Sequence, residues 1–137
     1  MWKHEFSEYA DLTPEELWEP LTDIANWGNI DQQIEWVKIE GPPVEGKLFY
    51  LKPKGGPKLK LKVELLRKPN EYADICFLPL AKMKTTHSLS PSSDGTDIGV
   101  CIEITGLLSF MWQRIVGHQH AAGLRKQTQR LIEVASA

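Results

Sequence analysis

Leu59-Lys60-Leu61-Lys62-Val63-Glu64-Leu65 alternates without a break between an aliphatic and a charged residue. Successive side chains of a strand point to opposite faces, so this stretch predicts a sheet with one dry side and one wet side. The flanking segments repeat the pattern. Upstream, Phe49 and Leu51 sit in a strand ending at Lys52-Pro53, and Lys54-Gly55-Gly56-Pro57 supplies the turn. Earlier still, Val37 and Ile39 alternate with Trp36, Lys38 and Glu40 until Gly41-Pro42-Pro43 stops the run. Downstream, Lys68-Pro69-Asn70-Glu71 turns the chain into Tyr72 to Leu78, with Ala73, Ile75 and Phe77 expected on the inner face. After Pro79, Met83, Thr85, His87 and Leu89 alternate with Lys82, Lys84, Thr86 and Ser88. Pro91-Ser92-Ser93-Asp94-Gly95 signals a hairpin. The returning strand sets Ile98, Val100, Ile102 and Ile104 on one side, and Asp97, Gly99, Cys101 and Glu103 on the other. Short connections between successive strands make an antiparallel meander.

The two ends of the chain complete the layout. Trp2, His4 and Phe6 alternate with Lys3, Glu5 and Ser7, the period of a half-buried strand. Thr13-Pro14-Glu15-Glu16 starts a helix: Thr13 caps, Pro14 suits the first helical position, and the carboxylates meet the positive end of the dipole. Leu17, Leu21, Ile24 and Ala25 continue one helical face, which Pro20 should bend or divide. Gly106 marks the change to a last helix, roughly 107–134, whose expected inner stripe is Phe110, Gly117, Ala121, Leu124, Thr128, Leu131 and Ala135. Its middle is small. Glycine in a helix interior costs about 0.5–1 kcal/mol relative to alanine, so Gly117 and Gly123 need a reason. Close helix–sheet packing is one account, and room left for a ligand is the other. One helix cannot fill a curved sheet of six or seven strands, so a hollow between them is expected.

Composition narrows the function classes. The chain has 137 residues, 42% hydrophobic and 25% charged, with a formal net charge of -2. That suits a single domain over 1–137, and gives no global attraction to nucleic acid or anionic membrane. Cys76 and Cys101 lie in apolar strands and read as reduced thiols. With no bilayer-length apolar run and no hydrophobic leader, a cytoplasmic protein without integral membrane association is expected.

The segment Leu12-Thr13-Pro14-Glu15-Glu16-Leu17-Trp18, followed by Leu21-Thr22-Asp23 and Trp27, resembles the opening signature of the START-related helix-grip superfamily (SRPBCC). That superfamily includes polyketide cyclase/dehydrase-like and lipid-transport proteins. Ile30 stands where its pattern usually carries a second aromatic. The resemblance implies an α+β helix-grip fold: a seven-stranded antiparallel sheet curled around the C-terminal helix, with short N-terminal helices between strands 1 and 2. It also implies a cavity opening under those helices. Such a fold hosts binders, carriers and enzymes alike.

Chemistry is carried by few residues. His87 falls in phase with Met83, Thr85 and Leu89 and should point inward, either as a paired core histidine or as a group that orients a ligand or moves a proton. His4, in phase with Trp2 and Phe6, carries the same alternatives. His118 and His120, two apart on a helix, point to different faces and make no metal site. Gly55-Gly56-Pro57-Lys58 lacks the spacing of a phosphate loop, and Pro57 removes an amide donor. Lys52, Lys54, Lys58, Lys60 and Lys62 form a basic patch, either a solvated face or a contact for an acidic partner or anionic headgroup. Glu8, Tyr50 and Arg114 read as surface or structural residues before cyclase ones, and no catalytic triad stands out.

The expected function is binding or transport of a small hydrophobic or aromatic molecule, such as a lipid, polyketide or quinone, with no cofactor and no metal. Its pocket would be lined by His4, Phe6, Phe49, Leu61, Val63, Ile75, Phe77, Met83, Thr85, His87, Val100 and Ile102 from the sheet. Gly117, Ala121 and Leu124 would line it from the helix. An aromatase/cyclase-type enzyme using the same pocket is the alternative, and a protein-interaction module the third. A homodimer is left open.

Overall fold

A computed structural model describes residues 2–136. Strand β1 (Trp2–Ala10) leads through Thr13 into helix α1 (Pro14–Thr22) and a 3-10 helix, Ile24–Asn29. Six strands follow: β2 (Ile34–Lys38), β3 (Leu48–Pro53), β4 (Leu59–Arg67), β5 (Glu71–Leu78), β6 (Ala81–Ser92) and β7 (Gly95–Thr105). The chain ends in α2 (Ser109–Trp112), a π-helical turn at Gln113–Gly117, and α3 (His118–Ser136). These three pieces form one helical run of 28 residues. The strands make one antiparallel sheet in the order β1-β7-β6-β5-β4-β3-β2, so β1 closes onto the last strand. This curved sheet gripping a long C-terminal helix is the helix-grip fold.

The first helix begins as its residues dictate. The Thr13 amide donates to Glu16 Oε1 at 3.0 Å, while Thr13 Oγ1 accepts the Glu16 amide at 3.2 Å. This reciprocal cap satisfies two amides left without partners at the helix start. Helix α1 buries Leu17, Trp18 and Leu21 and ends two residues after Pro20. The 3-10 helix then turns Trp27 back, and its indole donates to the Leu21 carbonyl at 2.9 Å.

Strands β6 and β7 hold their expected phase, with Thr85, Leu89, Ile98, Val100, Ile102 and Ile104 all buried. Two others do not. A bulge between Val63 and Leu65 shifts β4 by one residue. Leu66, opposite Tyr72, therefore joins the core, while Leu65 turns away opposite Ala73. A one-residue shift exchanges the two faces of a strand. In β5 the expected phase is inverted: Tyr72, Asp74 and Cys76 face the interior. Ile75 lies between Lys62 and Lys84 on the outer face, and Phe77 lies between Lys60 and Lys82, whose ammonium groups sit 5.9 and 5.8 Å from its ring. Placing Phe77 outward lets two lysine stems and their charges cover an aromatic face.

In the terminal helix, Leu124, Thr128 and Leu131 are buried, and Ala121 and Ala135 pack against the core. Phe110 is not inward as expected but 61% exposed. Gly117 is a packing residue. A methyl group there would meet Ile104 Cδ1 at 2.9 Å and the Trp2 ring at 3.0 Å. Apart from its chain neighbours and its own helix backbone, nothing lies within 4 Å of the corresponding position on Gly123.

Candidate functional site

Most of the expected hollow is filled. Under the helix lies a cavity of about 50 Å³ lined by Leu21, Trp27, Ile30, Asp31, Ile34, His87, Ile98, Gln127, Thr128 and Leu131. Pockets for drug-sized ligands hold about 300–1,000 Å³, so this space takes a small group or a few waters. Trp27 takes up part of the interior. Its indole meets Phe49 edge-on at 5.7 Å and Tyr72 at 5.9 Å, occupying the mid-sheet region under α3.

Beside this cavity the inner face carries four neighbouring polar side chains. Tyr72 and Asp74 on β5 pair across the ladder with His87 and Thr85 on β6. The Tyr72 hydroxyl donates to Asp74 Oδ2 at 3.0 Å, and the Tyr72 and His87 rings lie 6.1 Å apart at 41°. Asp74 is only 6% exposed. Burial pushes its carboxyl up to about 7, although the Tyr72 hydrogen bond pulls the other way. Burial, reinforced by the Asp74 charge, drives the Tyr72 phenol upward and the Cys76 thiol up to about 12. His87 moves oppositely: burial, then the charge of His120, lowers it to about 4. Its imidazole is thus neutral at neutral pH, and its sealed Nδ1 finds no protein partner. A buried polar atom left alone carries a penalty of about 1–3 kcal/mol.

Residues 30–34 and α3 both line the cavity. Asp31 holds both sides: Oδ1 accepts the Gln33 amide at 2.9 Å, shaping the turn, and Oδ2 accepts Gln127 Nε2 at 3.2 Å. His120 belongs to the same neighbourhood. Burial lowers it, and the Asp31 charge opposes that shift. The two histidines of the helix do separate as expected, since His118 instead meets the Trp2 ring edge-on at 5.3 Å.

Of the residues expected at the site, His87 lines the cavity and Thr85 is buried beside the Asp74 position. Phe49, Leu61, Val63, Val100, Ile102 and Leu124 are buried in the core cluster, and Phe6, Met83 and Ala121 pack against it. His4 stacks on Trp2 at 6.1 Å, near the Gly117 end of the helix. Ile75 and Phe77 are on the wrong face to join any of these. Sequence reasoning passed over Tyr72, Asp74, Trp27, Asp31 and Gln127. Asp74 left one signal, a lone acid inside the apolar run Tyr72-Ala73-Asp74-Ile75-Cys76-Phe77.

Glu8 and the remaining candidates add little to the pocket. Glu8 faces inward on β1 opposite Ile98, and its buried Oε2 has no protein partner. Tyr50 is exposed, with the Lys58 ammonium 5.1 Å from its ring. Among the described residues no group of three His, Cys, Asp or Glu is placed to hold a metal, and no helix is long and apolar enough to cross a membrane.

No family model matches the chain, and no curated protein matches it. Solved structures do. Protein MLL2253 from Mesorhizobium loti superposes with a TM-score of 0.77 at 17% identity, covering 98% of this chain and 97% of that one. The crystal structure of Ara h 8.0201 gives 0.72 at 14% identity over 98% and 97% of the two chains. Norcoclaurine synthase from Thalictrum flavum, solved with dopamine and hydroxybenzaldehyde, gives 0.76 at 12% identity over 97% and 85%. At these identities the likeness is one of fold: the chain shares the helix-grip architecture of proteins such as Ara h 8.0201 and norcoclaurine synthase.

Proposed function

We propose that this protein binds a small hydrophobic or aromatic molecule under α3, and that the cavity enlarges when Trp27 and the 30–34 segment move aside. The observation that carries this reading is the sealed, unpartnered Nδ1 of His87 on a residue lining an apolar cavity. A ligand with an apolar body and one hydroxyl or carbonyl would satisfy that nitrogen while replacing the contacts Trp27 now makes. Lipids, polyketides and quinones meet this description. The small closed volume means the ligand must supply enough apolar contact to offset the opening, since a binding-competent minor state lowers apparent affinity by its own population. Mass spectrometry of the natively extracted protein tests the reading. It expects a discrete non-covalent adduct, weakened at least tenfold in His87→Ala, and no adduct with any apolar class would defeat it.

A second reading, an aromatase/cyclase-type enzyme, is favoured by one observation. Asp74, its carboxyl near 7, is hydrogen-bonded to Tyr72 beside neutral His87, and groups titrating near the working pH are suited to general acid–base chemistry. The similarity in fold to norcoclaurine synthase is consistent with either reading. The His87→Ala variant separates them: binding retained with turnover abolished supports the enzyme, whereas binding lost without any turnover in the parent supports the carrier.

A further inference from the structure

The antiparallel order brings the β3–β4 turn, the β5–β6 turn and the β7–α2 connection to one end of the sheet. Four large apolar side chains stand out to solvent there: Leu80 at 64% exposure, Leu107 at 80%, Phe110 at 61% and Ile115 at 51%. They belong to one region. The Leu108 amide donates to the Leu80 carbonyl at 3.1 Å, and the Trp112 indole donates to the Pro79 carbonyl at 2.9 Å. Leu80 caps a two-residue turn with φ of 56°, a conformation that glycine or asparagine adopts far more readily. A strained, exposed leucine at a turn tip is a poor choice for folding alone.

Cations surround this group. Lys54 and Lys58 lie in the β3–β4 turn, Lys60 and Lys82 flank the Phe77 ring on the adjoining outer face, and Arg114 is exposed between Phe110 and Ile115. Among the described residues none of these five makes an ion pair, whereas Lys3, Lys52 and Lys62 do. The three segments meeting here contain no acid over 46–63, 75–93 and 104–132. The loops of the opposite end carry Asp11, Glu40, Glu45 and Asp94, while at this end Asp31 is held by Gln127 and Glu35 is paired with Lys52.

We propose that this end docks on an anionic lipid surface, with Leu80, Leu107, Phe110 and Ile115 entering the acyl boundary and Lys54, Lys58, Lys60, Lys82 and Arg114 meeting the headgroups. Apolar insertion plus basic attraction is the pairing that holds a protein on a membrane without spanning it. The apolar groups protrude from the β5–β6 turn and from the start of the terminal helical run, an irregular surface that suits a fluid partner. A second copy fits poorly, because a two-fold contact sets the same cationic rim against itself. The proposal rests on surface residues alone and is independent of what the cavity binds.

Co-sedimentation with vesicles decides it. The full chain is expected to bind vesicles of phosphatidylcholine mixed with phosphatidylglycerol at least tenfold more tightly than phosphatidylcholine alone, and to lose that preference in about 0.5 M salt, where surface charge is screened within a few ångströms. Leu107→Ser with Phe110→Ser should lower binding at least tenfold, as should Lys58→Glu with Lys82→Glu, while circular dichroism and melting temperature stay near the parent's because these side chains are exposed. Failure of the parent to bind anionic vesicles overturns the proposal, as does binding indifferent to both pairs. A dimer by light scattering that Phe110→Ser dissolves, or a soluble acidic protein that displaces the vesicles' role entirely, overturns it as well by giving the face another occupant.

Discussion

Replacing Asp74 by asparagine removes one titrating group while leaving a side chain of the same shape that can still accept the Tyr72 hydroxyl. The parent carboxyl lies near 7 in the fold against an ordinary value of 3.8. The native state therefore binds this proton more tightly than the unfolded chain does. Its contribution to stability is fully present below 3.8 and is lost as pH rises through about 7. One unit corresponds to about 1.4 kcal/mol, so between about pH 5 and pH 8 the parent should lose about 3 kcal/mol through this group. The Asp74→Asn variant has no such loss. The difference in unfolding free energy, variant minus parent, should thus climb by about 3 kcal/mol over that range. Urea unfolding followed by tryptophan fluorescence measures it, with the slope against urea checked for constancy. Parallel stability curves for parent and variant across that range would refute the argument that Asp74 is buried as a neutral acid.

His87→Gln should show the mirrored behaviour, because a histidine lowered from 6.5 to about 4 lends stability above 6.5 that is lost as pH falls through about 4. The parent-minus-variant difference should accordingly shrink on acidification, by about 3 kcal/mol, in the same urea series. Gly117→Ala should destabilise by about 1–3 kcal/mol through overpacking against Ile104 and Trp2. Gly123→Ala, with open space around it, should stabilise by about 0.5–1 kcal/mol; thermal melts of the two variants moving in the same direction would contradict this assignment.

The parts of the fold that were legible in the sequence are those where local chemistry and tertiary demand agree. Thr13-Pro14-Glu15-Glu16 caps its own helix, and Ile98, Val100, Ile102 and Ile104 fill four successive inner positions of one strand. β5 misleads for a physical reason. A carboxylate is ordinarily a sign of the wet face, but Asp74 is buried, hydrogen-bonded to Tyr72 and raised toward neutrality. Taking it as outward inverted Ile75 and Phe77 with it. β4 misleads because unbroken alternation conceals a bulge: the pattern through Leu65 reads the same whether or not Val63 is followed by an extra residue.

Of the polar groups at the site, only His87 and Thr85 were legible. The others come from elements whose meeting is a property of the closed fold, with Asp31 and Gln127 separated by 96 positions along the chain. Nothing in the sequence indicated that Trp27 turns inward, its indole bonded to the Leu21 carbonyl and its ring set against Phe49 and Tyr72, which narrows the expected hollow. Phe110, counted toward the helix's inner stripe, precedes the π-helical turn at Gln113–Gly117 and stands on the outside. Helical spacing carried back across such a turn loses its phase, since the turn holds more residues than the 3.6 of an α-helix.

The central claim is that the space beside His87 and Trp27 is a ligand site held nearly closed. Long-range nitrogen–proton spectra of the histidine rings, recorded with the tryptophan indoles during titration with a fatty acid, a quinone and an aromatic polyketide, test it directly. The account predicts saturable shifts at His87 and Trp27 for at least one of them, with His118 unmoved. Saturating amounts of every class leaving His87 and Trp27 where they began would contradict it.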